Sequence, residues 1–366
     1  MFYSQLLTLE RSFSEELLDK ADCYFSGLSA DARKTISISR VATHLQCSYI
    51  ESANFLKACI EINFMHKYFV LCCPECGHII KRLESINDIK SIEYCLCCEK
   101  EFEKDEFDSA QDIEIRFEII EDAPFEDGQH CIDSKKMKES AGAVRPDSLQ
   151  FAWKHGLLEI GEFYSVPDDG SDWIARAEAI MTTRYTSSTE QGNALENLTR
   201  DLFNQCTCFK ATSEFTTKLN QIDGFVIVKR YFQGNFFDEI GSSFYVECKN
   251  EKSTPKNTYL SKLSDIMGRA GCSFGVFVSK KPAPKTFRDI CRDVYLVRKQ
   301  VIICISLSEI IEMLENQENF MDLLHRKYIE VQHNANKNLK ELGIMHLPVN
   351  RLHHRRFSFT HFQKGR

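Results

Sequence analysis

The sequence predicts a mixed α/β core preceded by a smaller, metal-bearing N-terminal region. Three observations predict it. Apolar runs at 221–228, 243–249 and 273–279 have the length of buried strands and alternate with helical stretches at 192–203 and 259–271. Two Cys-x2-Cys knuckles fall at Cys73/Cys76 and Cys95/Cys98. Ahead of them, residues 10–62 carry helix patterns separated by short turns.

Composition sets the bounds. A chain of 366 residues holds two or three domains, and 43% hydrophobic with 27% charged residues belong to a globular protein. No apolar run spans a bilayer and Met1 to Gln5 opens no signal-peptide pattern, so a cytosolic chain with no membrane partner is expected. Of 16 cysteines, six lie between Cys72 and Cys98, and others, such as Cys248, Cys272 and Cys304, sit in or beside apolar runs. That distribution reads as a metal cluster plus buried free thiols, not as disulfides. The net charge of −7 argues against indiscriminate binding of polyanions. It is uneven: from Leu323 to Arg366 there are nine Lys/Arg against two acids. Such a basic end tracks phosphates, or is a solvated tail or partner-docking segment.

Residues 10–27 read as an amphipathic helix with Phe13, Leu17 and Leu18 apolar and Gly27 as terminator. A short strand and short helix follow over 35–45, then a turn at 46–48, a second helix from Tyr49 to Ile62, and a strand from His66 to Leu71. This order resembles a winged helix-turn-helix, whose reading helix presents basic and amide groups to DNA. Here that helix offers Glu51, Asn54 and only Lys57 as a base, which leaves protein contact or scaffolding as an equal reading.

The knuckles are separated by eighteen residues, 77–94. That spacing is the zinc-ribbon pattern, and four thiolates in a tetrahedron suit structural Zn²⁺ while leaving no open catalytic position. Cys72, Cys97 and His78 stand close enough in sequence to substitute. An alternating strand at 113–120 closes the region, and 121–145 lacks periodicity and reads as a linker. The expected domains are therefore 1–71, winged-helix-like; 72–120, zinc ribbon and closing strand; 146–342, the α/β domain with a helical lead-in around Trp173; and 343–366, a basic tail. Beyond the strand at 273–279, a helix from Phe287 to Lys299 and an apolar run at 301–305 continue the layers. Ser306 and Glu309 then form a capping-box pattern opening one long helix toward Tyr328. No P-loop occurs, so no nucleotide hydrolysis is expected of this chain.

The chemistry concentrates in the α/β domain. On a strand over 243–249, Phe244, Val246 and Cys248 face one side, and Tyr245, Glu247 and Lys249 the other. Burying a carboxylate and an ammonium requires partners or a metal. Asp223, followed by Gly224, lies on the preceding apolar run, and Glu196 flanks the helical stripe of Leu195, Leu198 and Leu202. Helix-Glu, strand-Asp-Gly and Glu-x-Lys, in that order, resemble the PD-(D/E)xK nuclease superfamily, most closely its Mrr-type, restriction-endonuclease-like members. Two departures stand out: Glu247 occupies the second acidic position, and no proline precedes Asp223.

The resemblance implies a restriction-endonuclease-like mixed sheet flanked by helices, and Mg²⁺-dependent hydrolysis of DNA phosphodiesters. Asp223 and Glu247 would hold Mg²⁺, Lys249 would polarise water and offset phosphate charge, and Glu196 would orient a water or a further ion. Arg269, Lys280 and Lys281 are the expected phosphate contacts. One such site cuts one strand, so double-strand cleavage would take a homodimer or two nicks. Fusions of this kind look like bacterial restriction or anti-phage defence proteins working with a separate sensor or ATPase. A non-catalytic DNA- or protein-binding regulator, and a structure- or RNA-specific nuclease of the same fold, are the other readings.

Overall fold

The computed structural model describes residues 2–91, 94–102, 113–120, 145–165, 170–183, 185–216, 221–229 and 236–341. All but the last residue of the expected linker, and the whole basic tail, lie outside these.

The N-terminal unit packs helices α1 (Glu15–Ser26), α2 (Ala30–Arg33), α3 (Ile38–Leu45) and α4 (Tyr49–Glu61) against strands β1 (Met65–Cys72), β2 (Ile79–Leu83) and β3 (Ile113–Ile119). Serine starts each of these helices: the side chains of Ser14, Ser29, Ser37 and Ser48 each accept a first-turn N–H. That local chemistry moves two expected boundaries. The first helix starts at Glu15 rather than at residue 10, because Ser14 caps it. The strand expected near residue 35 shrinks to one bridge between Ile36 and Phe117, because Ser37 is already the cap of α3. Gln46, left-handed at φ 55°, turns the chain from α3 into α4, and Ser52 Oγ donates to the Ile38 carbonyl at 2.9 Å to fix their crossing. Asp22 ties down the chain start by accepting the Phe2 and Tyr3 N–H groups, both at 2.7 Å.

The three strands form one antiparallel sheet in the order β2-β1-β3. β3 pairs with β1 from Met65–Ile119 to Leu71–Ile113, and its inward residues Ile113, Ile115, Phe117 and Ile119 are buried. A division after residue 71 therefore falls inside β1, and the cysteine region shares its sheet with the helices before it.

The α/β unit contains α5 (Leu149–Lys154), α6 (Gly170–Thr182), α7 (Ser188–Gln205), β4 (Phe209–Thr216), β5 (Gln221–Val228), α8 (Phe236–Ile240), β6 (Ser243–Lys249), α9 (Asn257–Ala270), β7 (Phe274–Ser279), α10 (Lys285–Arg298), β8 (Val301–Ser306), α11 (Leu307–Glu315) and α12 (Phe320–Glu341). Its sheet runs β4-β5-β6-β7-β8, antiparallel through β6 and parallel from β6 onward. One face buries a cluster of rings, among them Phe203, Phe209, Phe244, Phe274 and Phe320, in edge-on and tilted contacts. The other face buries Tyr245, Leu260, Leu263, Phe277, Phe287 and Ile302 beneath α9 and α10.

The long helix expected from Ser306 is two helices. Gln317 adopts φ 53°, and Asn319 Oδ1 accepts the Met321 N–H, ending one helix and starting the next. β4 was not singled out in the sequence; it is an edge strand paired on one side only, so its pattern is weak. The two units share a continuous core. The Lys67 ammonium of β1 joins them by donating to the Leu157 carbonyl at 2.9 Å and Glu162 Oε1 at 2.7 Å. Among the described residues no helix is long and apolar enough to cross a membrane.

Candidate active site

β6 buries five of its seven residues, and the alternation delivers Glu247 and Lys249 to the same face. Asp223 lies one position beyond the last paired residues, Gly224 and Val246, of the neighbouring strand β5. The three side chains meet. Lys249 Nζ lies 2.7 Å from Glu247 Oε1 and 3.1 Å from Asp223 Oδ2, and donates to the Cys248 carbonyl at 2.8 Å. Asp223 Oδ2 also accepts the Cys248 N–H at 2.8 Å.

Glu247 is the unusual member. It is 1% exposed, and its Oε2 has no hydrogen-bond partner among the described residues. Leaving a buried polar atom unsatisfied costs about 1–3 kcal/mol, more for a charged group. Burial, reinforced by the Asp223 charge, raises the Glu247 carboxyl above its ordinary range, and the lysines offset only part of this. Burial also opposes the charge on Lys249, but Glu247 and Asp223 outweigh it and hold the ammonium above its ordinary range.

Helix α7 closes the other side. Leu195, Leu198 and Leu202 are buried in the core, which turns Glu196 toward a cleft it lines together with Asp223, Gly224 and Thr212. The cleft holds about 30 Å³, room for an ion or a couple of waters. Gly224 is an ordinary strand residue; a Cβ there would stand 3.4 Å from Val246 Cβ. The Gln191 amide donates to the Asn250 carbonyl and the Asn250 amide to the Gln191 carbonyl, clamping the end of β6 to the first turn of α7.

The expected phosphate contacts fare unevenly. Lys280 is 6% exposed and donates to the Ile180 carbonyl at 2.8 Å, so it closes the last turn of α6 and does not stand free for a phosphate. Arg269 is exposed in the last turn of α9, about 10 Å along the helix axis from Lys262. Lys281 is exposed on the loop after β7. Sequence reasoning missed Lys262, whose ammonium lies 3.7 Å from Glu247 Oε1, and Tyr259, whose ring lies 5.5 Å from Lys249 Nζ. Their i, i+3 spacing at the start of the helix after Glu-x-Lys was the available signal.

The second centre is in the N-terminal unit. The sulfurs of Cys73, Cys76, Cys95 and Cys98 all lie within 4.8 Å of one another, so these four, and not Cys72, Cys97 or His78, form the cluster. Each knuckle is a tight turn: Gly77 N–H donates to the Cys73 carbonyl at 2.8 Å and Glu99 N–H to the Cys95 carbonyl at 2.9 Å. Gly77 and Glu99 both take positive φ, 70° and 57°. The Cys98 and Cys97 N–H groups pull the Cys95 thiol down to about 7. Such a set of four thiols can hold a metal such as zinc.

No protein-family model, no curated protein and no solved structure matches the chain.

Proposed function

We propose that the chain is a Mg²⁺-dependent DNA endonuclease whose N-terminal unit is braced by structural Zn²⁺. The observation that carries this reading is the convergence of Asp223 and Glu247 on the Lys249 ammonium, with the buried Glu247 carboxylate keeping an oxygen, Oε2, that has no donor. A hard divalent cation is the partner that such an oxygen lacks, and hard oxygen ligands suit Mg²⁺. Three antiparallel strands followed by two parallel ones, with α7 ahead of them and α9 leading into the first parallel strand, support a restriction-endonuclease-like arrangement.

Asp223 and Glu247 would hold the ion, which when bound supplies charge stabilisation to the phosphate and acidity to water. Lys249, kept protonated by its two carboxylates, positions the attacking water and faces the charge that grows on the phosphate. Glu196 orients a water in the cleft it shares with Asp223. In-line attack on phosphorus would leave 5′-phosphate ends. The resemblance extends the proposal to restriction or anti-phage defence, with a separate sensor or ATPase as partner.

The test is incubation of the purified chain with plasmid, linear and base-modified DNA, with and without Mg²⁺. Metal-dependent cutting is expected. Intact DNA under every condition, with zinc bound and the chain folded, would refute the reading.

A further inference from the structure

β6 and β7 are parallel neighbours, so the segments leaving them emerge side by side. Lys249 pairs with Ser279 at the end of the ladder, and Lys280 N–H donates to the Lys249 carbonyl at 3.0 Å. Further out, Thr286 Oγ1 donates to Asn257 Oδ1 at 3.2 Å, joining the first turns of α10 and α9.

Those two joints bring four lysines together in two pairs. Lys252 and Lys281 follow the first joint, and Lys256 and Lys285 immediately precede the residues of the second. All four are exposed, and none has an ion-pair partner among the described residues. The crowding is felt locally: after burial, the Lys281 and Lys252 charges are what lower the neighbouring Lys280. Glu251 is the only carboxylate in 250–258 and 280–286, and it accepts the Tyr259 hydroxyl.

Like charges gathered without counter-ions repel one another, which destabilises the free protein unless an anion visits. The helix starts sharpen the point. The N-cap residues of α9 and α10, Lys256 and Pro284, supply no side-chain cap, and a lysine at or beside a helix N-terminus opposes the dipole. This patch adjoins the carboxylate cluster, because Lys249 is the last residue of β6. The helix-turn-helix offers the reverse: the exposed positions of α4 include Ile50, Glu51, Asn54 and Glu61.

We infer that Lys252, Lys256, Lys281 and Lys285 form the track for the phosphate backbone of duplex DNA, and that α4 does not read the DNA. The inference rests on the nuclease reading for the identity of the polyanion. It makes contact with substrate a property of the α/β unit, carried by sequence-independent charge.

The test is binding of duplex DNA by the full chain in Ca²⁺ without Mg²⁺, across a salt series. Each phosphate contact contributes about 0.9 to the slope of log affinity against log salt. Replacing the four lysines by glutamine is expected to lower that slope by about three to four while leaving the circular dichroism spectrum unchanged and the melting temperature no lower, since it relieves their mutual repulsion. Asn54→Ala in α4 is expected to leave the affinity as it is. An unchanged slope in the quadruple variant overturns the inference, as does a loss on Asn54→Ala or tighter binding of duplex RNA than of DNA. If the wild-type chain binds DNA with the full slope yet never cuts in Mg²⁺, the nuclease reading falls and the track stands. If it cuts and the quadruple variant keeps its slope, the track alone falls.

Discussion

Glu247 and Lys249, two residues apart on one strand, meet at 2.7 Å in a site where the carboxylate is 1% exposed. A buried ion pair of this kind contributes little to net stability, because the desolvation cost is comparable to the attraction.

Asp223→Ala and Lys249→Ala are each expected to remove DNA cutting, by at least about 10²-fold, while the chain stays folded. Plasmid cleavage in Mg²⁺ and far-UV circular dichroism of the two variants are the measurements. Undiminished cutting by both would mean that the cluster is not the catalytic centre.

Glu247→Gln separates function from stability. It removes a desolvated charge from a site already short of one donor, so the melting temperature is expected to hold or rise by a few degrees while cutting is lost. Calorimetry and a plasmid assay on the same preparation read both. A large drop in melting temperature would show that the carboxylate serves the fold.

Elemental analysis is expected to find about one zinc per chain. Cys76→Ser or Cys95→Ser should release it and unfold the N-terminal sheet, since structural zinc supplies on the order of 10 kcal/mol of folding free energy in small domains. Cys72→Ser and Cys97→Ser should keep it, because their sulfurs lie outside the four-thiol cluster. Zinc retained after loss of Cys76 or Cys95 would reassign the ligands.

Glu309 caps α11 through Ser306 and pairs with Lys327. Burial works to raise its pKa, but Lys327 and the Ser306 N–H outweigh burial and lower it. A depressed acid favours the fold above its ordinary value of 4.5, and that contribution is lost as pH falls through the folded-state value. Glu309→Gln should therefore cost about 1 kcal/mol at pH 7 and flatten the loss of stability below pH of about 4.5. Urea unfolding at several pH values decides it; an unchanged acid limb would remove Glu309 from the account.

Much of this was legible because the signals were local. The two cysteine spacings, the alternation in β6 and the leucine stripe of α7 each depend on neighbours a few residues away. The four clustered thiols could be chosen from six cysteines and His78 only when the two knuckle turns were seen to face each other. Lys280 looked like a surface base because sequence does not show that α6, a hundred residues earlier, ends against it. Lys262 escaped notice because its partner Glu247 lies across a strand-to-helix connection. The break at Gln317 was hidden because glutamine rarely adopts a left-handed backbone.

β1 leaves one more consequence. Its residues from Met65 to Leu71 pair with β3 and those from Phe69 to Cys72 with β2, and the strand leads into the first cysteine knuckle and sends Lys67 into the α/β unit. A protein that grasped the knuckle end would therefore pull on the α/β unit through this one strand.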